Sequence, residues 1–141
     1  MKPAYRYETS DGEQIARHDW DTHHIFARST MRGRNEKDWA DLFTVPMVKT
    51  YHNMGKAALH TNVELPPRPD KELMHRIRVN RYENATANPY DRFIQMSEFV
   101  HEVAETSPHE HTAWLAGRIA DNLERQAPFI LLGMVTIQEL D

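Results

Sequence analysis

The sequence predicts a mainly α-helical protein with a small α+β element in its first half. Three observations predict it. Beyond residue 70, apolar residues recur at helical spacing between recognisable cap residues. Before residue 66 the segments are short, rich in aromatic and β-branched residues, and broken by Gly and Pro. Between the two lies Glu64-Leu65-Pro66-Pro67-Arg68-Pro69, a stiff extended stretch that suits a boundary. The 141 residues therefore divide into a histidine-bearing region, 1–66, and a helical region, 67–141, packed with it as one domain.

Tyr5-Arg6-Tyr7 reads as a short strand and Ser10-Asp11-Gly12 as a turn. Asp19 to Phe26 reads as a strand or extended segment, and Arg28 to Asn35 as a basic loop around Gly33. A helix is expected from Asn35 or Lys37 through Trp39, Leu42 and Phe43. Pro46 is expected to open a new helix that runs through Asn53 and ends near Gly55. No strand pair is evident between residues 26 and 50, and strands are expected only in the first half.

Asp70 caps a helix carrying Leu73, Met74 and Ile77. Asn88-Pro89 is an N-cap followed by Pro at the first helical position, and Phe93, Met96, Val100 and Val103 follow on one face. Ser107-Pro108-His109-Glu110 reads as a capping box ahead of Trp114, Leu115, Ile119 and Leu123. Pro128 ends or restarts that helix, and Phe129 to Val135 reads as a buried segment, helical by preference. Trp20, Trp39 and Trp114 are expected in cores.

Forty per cent of residues are hydrophobic and 27% charged, ordinary for a globular protein. No apolar run approaches the roughly 20 residues that span a bilayer. The opening MKPAYRYETSDGEQ has no apolar segment of a secretory signal, so a cytoplasmic location is expected. The absence of cysteine excludes disulfides, thiolate zinc sites and cysteine nucleophiles. A metal would have to sit on His, Asp, Glu or Asn, which suits Zn, Mg, Mn or Ni. Glycine-rich phosphate loops and serine-nucleophile motifs are also missing.

The net charge of −4 is unevenly spread. Residues 1–81 carry 14 Lys+Arg against 11 Asp+Glu, and residues 82–141 carry 3 against 10. Basic clusters at Arg28, Arg32, Arg34 and Lys37, and from Arg68 to Arg81, suit phosphate contacts or simply a solvated surface. The acidic helical half would repel a polyanion and suits a protein partner instead.

Chemistry points to the histidines. His23-His24 is followed by Tyr51-His52-Asn53 and then His60. On an extended segment adjacent side chains point to opposite faces, so one imidazole can hold a metal while the other faces an attacking water. His52 and His60 are eight residues apart. In an unbroken helix that is about 12 Å, too far to share an ion. Either Gly55 breaks the helix or one of the two is not a ligand. The rival reading makes them ordinary surface or half-buried histidines. His101, His109 and His111 are poorly placed for chelation, the last two lying roughly 200° apart around a helix.

The pattern resembles the HNH, or ββα-metal, nuclease superfamily. The resemblance covers about residues 17–70. It includes the string His52-Asn53 to His60, Val63, Pro66-Pro67 and Pro69, which resembles small HNH-like proteins of bacteriophages and actinobacterial prophages. It implies a ββα-metal-like first half, a divalent metal on His23 and His60, with His52 competing, and His24 as the general base. Asn53 would orient that base, and Arg28, Arg32 and Arg34 would grip phosphate. The implied activity is metal-dependent DNA cleavage, in a bacterial host cell if the chain is phage-encoded. The Asn-to-His spacing is shorter than usual in that motif, and the CxxC pairs of many members are missing. The competing function is a non-enzymatic helical protein that binds another protein and uses its histidines structurally.

Overall fold

The computed structural model describes residues 4–85 and 88–140. It is 58% helix and 17% strand, a mainly α protein with small antiparallel sheets.

The first sheet joins the two ends of the described chain. Strand β1 (Ala4–Glu8) pairs antiparallel with β2 (Gln14–Ile15) on one side. On its other side it pairs with β5 (Thr136–Leu140), in the register Tyr7 to Ile137. Strand β5 corrects the expectation that strands stay in the first half. Every residue in it is exposed, so it lacks the in–out alternation by which a strand is recognised.

The second sheet positions the histidines. Strand β3 (Trp20–His24) pairs antiparallel with β4 (Thr44–Val48), with His23 opposite Val45 and His24 opposite Thr44. Pro46 thus lies inside a strand and does not open a helix. In a two-stranded sheet a proline can sit where its missing N–H costs no bond of the ladder to the partner strand. The Pro46 carbonyl accepts from the Val135 N–H at 2.9 Å. Between these strands Arg28–Thr30 forms a single 3-10 turn, and α1 spans Gly33–Asp41, beginning before Asn35.

After β4 come two one-turn helices, α2 (Lys49–His52) and α3 (Leu59–Asn62). Gly55 lies between them with φ of +104°, a conformation costly for residues with a Cβ. Helix α4 (Lys71–Glu83) is capped by the Asp70 side chain, which accepts from the Leu73 N–H at 2.8 Å. Helix α5 (Pro89–Thr106) is capped by Asn88 in the same way through the Asp91 N–H.

Helix α6 (Glu110–Gly133) differs from expectation at both ends. Its N-cap is His109, and the Ser107 hydroxyl accepts from the His109 N–H at 3.3 Å, so the Ser107–Glu110 capping box does not form. Pro128 sits within the helix. The carbonyl it leaves without a helical donor is that of Glu124, and both residues lie on the solvent face, where water can serve.

One core cluster includes Phe26, Trp39 and Val45 from the first region and Ile77, Val100 and Leu123 from the second. Residues 64–69 are part of this packing: Pro66 and Pro69 are buried, and Asn122 Nδ2 donates to the Glu64 carbonyl at 2.6 Å. Trp39 donates to the Met74 carbonyl at 2.9 Å and packs on Phe26 and Phe43. Phe93, Met96, Val100, Leu115, Ile119 and Leu123 are all buried, as the periodicity predicts. Trp114 is the exception among the tryptophans, 56% exposed beside His111. At the end of α6, a Cβ on Gly133 would lie 2.7 Å from Tyr51 Cβ, so the glycine lets α6 close on α2.

Candidate metal centre

His23, His52 and His60 converge. Each offers one ring nitrogen, and those atoms lie within 4.8 Å of one another. The ring centroids are 5.1, 5.2 and 4.7 Å apart for the pairs 23–52, 23–60 and 52–60. The chain reverses around Gly55, so the eight-residue interval no longer separates His52 from His60. Their Nε2 atoms are 3.0 Å apart. Two imidazole nitrogens bound tetrahedrally at about 2.0–2.1 Å from one zinc ion would be about 3.3 Å apart.

Hydrogen bonds fix the free nitrogen of His23. Asn122 donates to the Glu64 carbonyl, so its Oδ1 faces Gln126 and accepts from Gln126 Nε2 at 2.6 Å. Gln126 Nε2 also donates to the Ile25 carbonyl at 3.3 Å, which leaves its Oε1 as the acceptor 2.7 Å from His23 Nε2. His23 therefore carries its proton on Nε2. Its Nδ1 is buried and has no hydrogen-bond partner. A buried lone pair without a donor is unusual and suits a ligand atom.

The second histidine is oriented by a carboxylate. His52 Nδ1 bonds Asp21 Oδ1, which leaves Nε2 for a ligand. A carboxylate behind a ligating histidine fixes its tautomer and raises its basicity. Asn53 Nδ2 reaches the other Asp21 oxygen at 3.4 Å. Burial pushes the His23 pKa down to about 3, with the neighbouring imidazoles His52 and His60 adding to the effect. His60 is also lowered, by burial first and then by His52. Neutral imidazoles are the form that binds metal.

His23 and His52 are buried, and His60 is exposed. His60 borders an open groove of about 520 Å³ formed with Ala27, Ser29 and residues 61–65. The cluster thus has two imidazoles fixed in the protein and one at a solvent edge.

The other expected residues are not among the three that converge, although Asn53 touches the cluster through Asp21. His24 Nε2 is 2.8 Å from Asp41 Oδ1, and Arg28 Nε is 3.0 Å from the same oxygen. The partner of the Asn53 side chain is Asp21, and that of His24 is Asp41. Arg32 and Arg34 line a different cleft, between α1 and α4. His101 pairs with Glu124, and His109 with Glu72 at 2.9 Å. Asp21, Gln126 and Asn122 belong to the site but lie outside the histidine pattern of the sequence. For the last two the signal was there: polar residues on the apolar face that carries Ile119, Leu123 and Ile130.

Compared with protein-family models, curated proteins and solved structures, the chain matches none.

Proposed function

We propose that this chain is a metal-dependent phosphodiesterase of HNH-like type acting on DNA. His23 Nδ1, His52 Nε2 and His60 Nε2 would hold one divalent ion. The observation that carries the reading is the orphaned Nδ1 of His23, left free by the amide chain behind it and placed beside two further imidazoles. A bound ion would supply Lewis-acid stabilisation of the charge that builds on a phosphate during hydrolysis.

The chain's own residues do the rest. Asp21 keeps His52 in its ligating tautomer, and Gln126 does the same for His23. His24, with Nε2 held by Asp41, keeps Nδ1 as its basic atom and would take the proton from water. Asp41 then stabilises the imidazolium that forms. A three-histidine donor set with no thiolate and no carboxylate suits zinc or nickel better than magnesium.

The test is incubation of supercoiled DNA with Zn²⁺, Ni²⁺, Mn²⁺ or Mg²⁺. Cleavage by the wild type and none by His24→Ala, with metal binding unchanged, is the expected result. No cleavage with any of the four ions ends the nuclease reading. The partner-binding reading then takes over, and it has an observation of its own: Trp114, Leu131 and Leu132 on α6 are 56%, 50% and 55% exposed.

A further inference from the structure

The clusters of basic residues are not equally engaged. Arg28 is held by Asp41, Arg68 by Glu36, Arg6 by Glu8, and Arg17 lies over the Trp20 ring. Among the described residues, the side chains of Arg32, Arg34, Lys71 and Arg78 form no direct hydrogen bond or ion pair, although the Lys71 charge adds to that of Arg68 in its effect on Glu36. All four line one open cleft of about 510 Å³ between the start of α1 and the first half of α4.

The stripe on α4 continues beyond that cleft. Lys71, His75, Arg78 and Tyr82 are spaced by four, three and four residues, which puts them on one face of the helix. The first three are exposed, and Tyr82 is 62% exposed. A second groove of about 440 Å³ runs from Arg78 to Tyr82 and shares Asn35 and Trp39 with the first. Of the acids bordering the two, Glu36 is already neutralised by Arg68, and Asp38 lies in the groove at the Tyr82 end.

We propose that this α1–α4 groove binds single-stranded nucleic acid, with phosphates on Arg32, Arg34, Lys71 and Arg78 and a base stacked on Tyr82. Two features choose the ligand. Lys71 and Arg78 lie about 10 Å apart along α4, and Arg32 and Arg34 face them from the start of α1, too spread for one phosphate to satisfy and well short of a duplex turn of roughly 34 Å. An exposed aromatic ring at the end of a cationic track is useful only to a base whose face is free. This groove requires no metal, so it stands whether or not the three histidines bind one.

The test is fluorescence anisotropy of a labelled oligothymidylate of about a dozen nucleotides, with EDTA present and salt varied. Log affinity should fall linearly with log salt, with a slope of about 2–3 for three or four phosphates at about 0.7 each. Arg78→Ala and Lys71→Ala should each lower that slope by about 0.7. Tyr82→Ala should weaken binding about 5- to 100-fold, and Tyr82→Phe should restore it. All three positions are exposed, so melting temperatures should stay near wild type. His60→Ala should bind as the wild type does. The proposal is overturned if duplex of equal length binds as tightly or tighter. It is also overturned if Tyr82→Ala has no effect, if polyglutamate displaces the strand as well as unlabelled oligonucleotide does, or if His60→Ala abolishes binding.

Discussion

Gln126 Oε1 lies 2.7 Å from His23 Nε2, joining a helix near the end of the chain to a strand near its start. Both groups are buried, at 1% and 0% exposure, so neither can turn to water for a substitute. The contact decides which histidine nitrogen is protonated and therefore which one is free.

Gln126→Leu should destabilise the metal-free protein by about 1–3 kcal/mol, because it leaves buried donors and acceptors on His23 and Asn122 unpaired. It should also weaken Zn²⁺ binding about 10- to 100-fold, since the His23 tautomer is no longer fixed. Calorimetric titration and chemical denaturation, run on the same variant, separate the two effects. Unchanged zinc affinity would show that Gln126 serves the core alone.

His60 is the exposed member of the cluster, so His60→Ala should cost the metal-free fold less than about 1 kcal/mol. It should nevertheless abolish most of any zinc-dependent rise in melting temperature, because a ligand that binds only the folded state links affinity to stability. His23→Ala should lose both the rise and much of the basal stability, since it opens a cavity in the core. Equal zinc-dependent shifts in wild type and His60→Ala would rule out the three-histidine centre.

Gly133→Ala should be destabilising, by about 1–3 kcal/mol. The new methyl would press on Tyr51 Cβ at 2.7 Å and Met47 Cε at 2.9 Å, and α2 would have to shift. Because α2 carries His52, zinc affinity should fall as well. A variant that melts early yet binds zinc as before would show that α2 moves without disturbing the histidines.

The Glu36 carboxyl is held below its ordinary range, first by Arg68 and then by the Arg32 N–H. A carboxyl lowered in the fold contributes stability above its unfolded pKa of about 4.3 and loses it as pH falls through the folded value. The wild type should therefore lose stability below about pH 4.3 more steeply than Glu36→Gln. Denaturant midpoints measured down through acid pH would check this. Parallel curves would show that the pair contributes nothing to folding.

The caps and the periodicity carried the helical half. Asp70 and Asn88 announce α4 and α5, and the apolar spacing fixes the buried faces of α5 and α6. Pro46 misled because proline at a helix start and proline on a strand edge look alike until the partner strand is known. Pro128 misled because the cost of a lost helical bond depends on which face the orphaned carbonyl meets. At the site, the histidines stand out by their chemistry, but Asp21 looks like any surface acid until β3 and α2 meet. Gln126 and Asn122 were visible as polar residues on an apolar stripe, although nothing in the sequence says what they hold.

The amide chain from Glu64 through Asn122 and Gln126 to His23 has a sense of direction. An amide side chain has nearly the same shape whichever way it is turned, so its donor and acceptor ends must be set by what surrounds it. A backbone carbonyl has no such choice, because it can only accept. The Glu64 carbonyl at one end, and the Ile25 carbonyl that also accepts from Gln126 Nε2, therefore set the polarity of the chain, down to the ring nitrogen that keeps its lone pair. That instruction is written in the main chain, and replacing the side chain at position 64 would not erase it.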